Sequence, residues 1–154
     1  ESLLDRVCDR IPGSWKECST AALQIDGGFE GSIADLETEL FRSFPEVSRT
    51  KVRNLAARYG RTARKILGIP SDGRSWKLDN QEVYYPEEII YLTENEDIQS
   101  IADLYFRRSG LGTAGRPPET INRQIVDLAG SRLGWNAQEK KAALLEIEKR
   151  YMLK

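Results

Sequence analysis

The sequence predicts an all-α fold, a small bundle of four to six helices behind an N-terminal linker segment. Three observations carry this expectation. Ser32 with Asp35, Ser100 with Asp103 and Asn136 with Glu139 are capping signatures, in which a side-chain oxygen takes an amide proton three residues on and the acid reaches back. Pro86-Glu87-Glu88 and Pro117-Pro118-Glu119 are proline-led starts that set acids at the positive end of the helix dipole. Behind these starts, apolar residues return three and four apart.

Residues 1–11 read as a short amphipathic helix, with Leu3, Leu4, Val7, Cys8 and Ile11 at helical spacing and Pro12-Gly13 as its stop. From Ser14 to Gly31 no period is sustained, and Asp26-Gly27-Gly28 is turn chemistry. Ser32 opens a helix with the stripe Ile33, Leu36, Leu40 and Phe44, ended by Pro45. A second runs from about Ser48 to Tyr59, burying Val52, Leu55, Ala56 and Tyr59, with Gly60 as a left-handed stop. A short turn over 62–67 follows. Residues 71–85 read as irregular around Trp76.

A helix is then expected over 86–96, although Ile89-Ile90-Tyr91-Leu92 would also suit a strand. Ile98, Ile101, Ala102 and Tyr105 mark a helix over 100–108, with a glycine-rich break at 109–116. The next helix buries Ile121, Ile125, Leu128, Ala129 and Leu133 and stops at Gly134. A final one turns Leu144, Ile147 and Tyr151 inward. Tyr91, Ile101 and Leu104 are expected on the buried face that ties this region to the rest.

Composition removes whole classes of chemistry. The 154 residues, 40% apolar and 31% charged with a net charge of −1, suit one globular domain with no general pull toward polyanions. No apolar run approaches the roughly 20 residues that span a bilayer. The chain contains no His, which excludes Ser-His-Asp and Cys-His nucleophiles, HExxH zinc and facial-triad iron within it. Cys8 and Cys18 are read as reduced thiols of an intracellular protein, with a disulfide as the alternative. The missing start Met and leader lead us to expect a mature form or an excised piece.

Three strings invite a functional reading. Gly110-Leu-Gly112-Thr-Ala-Gly115 matches the dinucleotide fingerprint, but it follows a helix rather than a strand and is read as a helix–helix loop. Residues 47–71 hold no acid, yet contain Arg49, Lys51, Arg53, Arg58, Arg61, Arg64 and Lys65. That stretch is either an outward anion or lipid patch or a face paired to acids from elsewhere in the fold. Glu87-Glu88 and Glu94-Asn-Glu96-Asp97 are read as helix-start acids and surface charge, since no EF-hand pattern is present. Arg107 and Arg108 favour a helix C-terminus, and one of them is expected to reach Glu96 or Asp103. Trp15, Trp76 and Trp135 read as core or rim packing.

The run from Glu88 through Tyr91, Glu96, Ser100 and Asp103 to Arg107-Arg108-Ser109 resembles the C-terminal helical domain of FAD-dependent glycerol-3-phosphate dehydrogenases and alpha-glycerophosphate oxidases. The family pattern runs as Glu, an apolar residue, Tyr, a later Glu, Ser or Thr, Asp and Arg-Arg-Thr. Val52 through Leu55, Arg58-Tyr59-Gly60 and Ile66-Leu67 resembles its upstream helix. The stretch from Cys18-Ser19-Thr20 to Asp26-Gly27-Gly28 resembles its linker, without the usual Pro.

The resemblance implies a division of the chain. Residues 1–17 would end a preceding flavin domain, 18–31 would be the linker and 32–154 the C-terminal domain. The parent would oxidise sn-glycerol 3-phosphate to dihydroxyacetone phosphate, passing electrons to FAD and then to quinone or oxygen. No catalytic, cofactor-binding or metal residue carries over, and the fragment alone is expected to be inactive. Glu88, Tyr91, Glu96, Asp103, Arg107 and Arg108 would be structural signature residues. Expected partners are the flavin domain, an anionic membrane for Arg49, Arg53, Arg58, Arg61, Arg64 and Lys65, and a second copy. Nucleic acid is not favoured. The expected location is the cytoplasm, peripheral at the inner face of the membrane. The competing reading is a free-standing helical interaction domain that binds phosphate or nucleic acid through 49–65.

Overall fold

The computed structural model describes residues 6–7, 10–14, 28–29, 31–113 and 115–152. The expectations for most of 1–27, including Cys8, Cys18 and Trp15, lie outside the described residues. Within the described chain the architecture is mainly α. Helix α1 (Ile33–Ser43) is capped as its sequence demands: the Asp35 amide donates to Ser32 Oγ at 3.2 Å and the Ser32 amide to Asp35 Oδ2 at 3.1 Å. Helix α2 (Arg49–Tyr59) begins with the Lys51 amide donating to Ser48 Oγ at 3.3 Å. At its end Gly60 takes φ 54°, ψ −134°, a region that glycine alone enters easily, but not the left-handed helical one. The chain therefore continues through a 3₁₀ turn, Gly60–Thr62, into α3 (Ala63–Leu67).

The segment read as irregular holds a small hairpin, β1 (Trp76–Lys77) antiparallel to β2 (Val83–Tyr84), with Trp76 opposite Tyr84. Its strands are too short for alternation to show in the sequence. The pairing is held from outside, since Trp76 and Tyr84 are buried and Trp76 Nε1 donates to Gln124 at 2.7 Å. Helix α4 (Pro86–Asn95) resolves the Ile89–Leu92 ambiguity toward helix; Ile89, Tyr91 and Leu92 all enter the core.

Helix α5 is a single α-turn, Ile101–Asp103, that widens into a π-turn over Leu104–Arg108. The Ser109 amide bonds to Leu104 O at 3.0 Å, five residues back. This wide turn buries Leu104, Tyr105 and Ser109 while leaving Arg107 and Arg108 exposed. Tyr91, Ile101 and Leu104 are buried. Helix α6 (Glu119–Leu133) ends at Gly134 in the left-handed conformation, and α7 (Ala137–Met152) opens on the Asn136–Glu139 cap.

Two stripes differ from those expected. Ile33 is 41% exposed rather than inward. On α6 the buried set is Asn122, Ile125, Val126, Ala129 and Gly130, whereas Ile121, Leu128 and Leu133 are only partly covered. That helix packs between α4 and α7, so its covered face is wider and shifted relative to a single-stripe reading. Gly130 lies in that contact: a Cβ there would stand 2.8 Å from the Lys140 side chain and 3.1 Å from the Trp135 ring. Buried Asn122 accepts from the Tyr105 hydroxyl at 2.9 Å and donates to Pro117 O at 3.1 Å, tying the π-turn to α6.

Candidate functional site

The acids of the α4 first turn are not surface charges. Glu87 and Glu88 are 1% and 0% exposed, against the expectation for both. Glu88 sits at the third helical position, and its Oε1 accepts the Tyr85 amide at 2.8 Å. The same carboxylate takes Arg58 from α2 in a fork: Nη2 to Oε1 at 2.8 Å and Nε to Oε2 at 2.9 Å. Arg58 also donates to Val83 O at 2.8 Å and lies 4.4 Å over the Tyr84 ring. One guanidinium thus joins α2, the hairpin and α4. Burial pushes the Glu88 carboxyl above the usual glutamate range against the pull of Arg58. Burial works to lower the Arg58 value, and the Glu88 charge more than restores it. Tyr59 beside it has a buried hydroxyl, pushed well above the usual tyrosine range by burial and then by the Glu88 charge.

Glu87 pairs with Lys51, whose Nζ is 2.9 Å from Oε1, although among the described residues neither carboxylate oxygen accepts an aligned hydrogen bond. The outward placement expected for Arg58 is therefore corrected, and much of the acid-free stretch finds its counter-charges on flanking helices. Arg53 lies 3.5 Å from Glu37, Arg64 2.6 Å from Glu39, and Arg49 stacks 4.6 Å over Phe41. Arg61 and Lys65 are exposed. Sequence spacing hid this because the acids arrive from α1 and α4, far along the chain from the cations they meet.

Four residues of the Glu88–Ser109 run, Tyr91, Glu96, Arg107 and Arg108, meet at a hollow of about 510 Å³ between the end of α2, the end of α4 and the π-turn. Arg58, Tyr59, Tyr91, Glu96, Arg107 and Arg108 line it, together with Phe29 and Ile33. Both arginines of the π-turn find an acid: Arg107 Nη1 is 2.8 Å from Asp103 Oδ1 and Arg108 Nη1 3.1 Å from Glu96 Oε2. Asp103 does not line the hollow but also caps α5, its Oδ2 accepting the Ser100 and Gln99 amides at 3.0 and 3.2 Å. A second hollow, about 710 Å³, adjoins Lys51, Ser71, Arg74 and Tyr85. Its cations are already paired, Arg74 with Asp72 and Lys51 with Glu87.

Among the described residues neither a metal nor a flavin finds a ready seat. Among the described residues no three His, Cys, Asp or Glu side chains form a metal-binding group. At Gly112 an added Cβ would lie 2.2 Å from Phe106 Cε1, so the glycine serves close packing against the chain's own ring. The Tyr151 hydroxyl donates to Gly112 O and Gly115 O at 3.1 and 2.8 Å, pinning the loop to α7. A pyrophosphate needs open amides leading into a helix, and this loop does not fit FAD. No helix among the described residues is long and apolar enough to cross a membrane.

Residues 18–140 match the family described as the C-terminal domain of alpha-glycerophosphate oxidase. The chain belongs to that family. It is an accessory C-terminal domain of an FAD-dependent oxidoreductase family, in which it pairs with a catalytic domain. No curated protein and no solved structure matches the chain. The family match spans the capped helices, the Arg58–Glu88 pair and the whole hollow.

Proposed function

We propose that this chain is the non-catalytic C-terminal domain of an enzyme that oxidises sn-glycerol 3-phosphate to dihydroxyacetone phosphate. Its electrons would pass to FAD in the preceding domain and from there to quinone or oxygen. The observation that carries the proposal is the family match over 18–140. The chemistry of the buried groups supports the non-catalytic part. Alcohol oxidation needs a base for the hydroxyl proton beside the hydride acceptor. Glu88 is engaged by Arg58 and Glu87 by Lys51, and Tyr59 holds its proton far above neutral pH. The domain's contribution is then structural, a rigid unit that presents one face to the flavin domain.

The test has two arms. The 154-residue chain, purified with excess FAD, should retain no stoichiometric flavin and should not reduce a dye in the presence of glycerol 3-phosphate. The full-length flavoenzyme that carries the chain should do both. A yellow stoichiometric complex of the chain alone ends the non-catalytic reading. A full-length enzyme inert toward glycerol 3-phosphate ends the substrate assignment.

A further inference from the structure

We infer that the hollow between α2, α4 and the π-turn is the seat of the flavin-binding domain, and that it receives a segment carrying a carboxylate beside an apolar side chain. This inference rests on the reading of the chain as an accessory domain. It adds the face and the recognition chemistry.

Connectivity is the first argument. Phe29 and Ile33 line the hollow, so the chain enters the helical unit along its rim. In this family the domain is C-terminal, and what precedes it is tethered at that rim. Such a tether holds two surfaces at an effective concentration in the millimolar range, so modest complementarity suffices for docking.

The lining supplies that complementarity in two parts. Its apolar part is Ile33, 41% exposed, with Phe29 beside it and Tyr91 and Leu92 as floor. An Ile this exposed in the first turn of a well-capped helix gains nothing from water and is stabilised by a covering side chain. Its charged part is Arg107 and Arg108, whose side chains are 75% and 42% exposed. Each guanidinium has five N–H donors, more than one carboxylate can occupy, and Arg107 meets Asp103 and Arg108 meets Glu96 through Nη1. Donors remain for a second carboxylate in fork geometry, and among the described residues Glu96 is the only acid in the lining. Arginine and tyrosine flanking an apolar centre is the composition of interface hot spots. A free phosphate would use the arginines but leave the apolar half uncovered.

The experiment uses the full-length flavoenzyme with p-benzoylphenylalanine in place of Ile33, photolysed and mapped by mass spectrometry. The expected product joins position 33 to a flavin-domain peptide that contains Asp or Glu. Arg107→Glu with Arg108→Glu should lower its yield about tenfold, as for loss of a charged hot spot. Arg123→Glu, outside the hollow, should not. Arg108→Lys keeps the charge and loses the fork, so it should give an intermediate yield and guards against misfolding of the double variant. Cross-links confined to this domain, cross-links to a second copy, or a yield indifferent to the arginine variants would each overturn the inference. So would millimolar inorganic phosphate protecting Arg107 and Arg108 from modification in an enzyme that gives no flavin-domain cross-link. Flavin content and dye reduction, read on the same samples, report on the enzyme assignment independently of where position 33 cross-links.

Discussion

The Arg58 guanidinium holds both oxygens of the Glu88 carboxylate, at 2.8 and 2.9 Å, with the carboxylate wholly buried and the arginine side chain 20% exposed. Arg58 belongs to α2 and Glu88 to the first turn of α4, so the pair fixes how those helices meet. Buried pairs of this kind add little net stability, but removing one partner strands a charge. Arg58→Met should therefore cost about 3–5 kcal/mol in urea unfolding. Arg58→Met with Glu88→Leu should recover much of that loss. A cost below about 1 kcal/mol for the single variant would place the pair with ordinary surface contacts instead.

Asp103 carries an acid-limb prediction. Burial raises its carboxyl, but the Ser100 hydroxyl and amide, Arg107 and the Gln99 amide together outweigh it and hold it below the usual value of 3.8. As pH falls, the unfolded chain takes up this proton first, which favours unfolding. The contribution is present above pH 3.8 and is lost as pH drops through the folded value. Asp103→Asn should lower stability at neutral pH, with the gap to wild type closing in acid. Ser100→Ala, which removes the other half of the cap, should cost about 0.5–2 kcal/mol. A gap for Asp103→Asn that widens on acidification contradicts this account.

Ile101 is 1% exposed on the same short turn. Ile101→Ala should cost about 2–5 kcal/mol by chemical denaturation, from lost burial plus the cavity left behind. A loss near zero would mean that the α5 turn does not anchor the π-turn.

Gly112 offers a test of the loop. The Cβ of Gly112→Ala would fall 2.2 Å from the Phe106 ring, and relieving that overlap should cost about 1–3 kcal/mol. Phe106→Leu in the same chain should make the alanine less harmful than it is alone. Strict additivity of the two changes would show that the ring and the glycine do not meet.

The sequence alone determined where the helices begin and that the protein is helical. Capping is local: Ser32–Asp35, Ser100–Asp103 and Asn136–Glu139 each close within three residues, and all three are formed. It also pointed to the family, through the run from Glu88 to Arg108, and the family match over 18–140 covers that run. What it left open is whatever depends on a distant partner. Glu87 and Glu88 read as helix-start acids, since a dipole argument accounts for them without burial. Only the approach of α2 turns them into buried counter-charges for Lys51 and Arg58. The π-turn likewise has no local sign, because its widening is set by Tyr105 reaching Asn122 and by the ring that fills the space at Gly112. The basic run looked continuous for the same reason: charge is visible along the chain, whereas neutralisation by Glu37, Glu39 and Glu88 exists only once α1 and α4 are packed on either side of it.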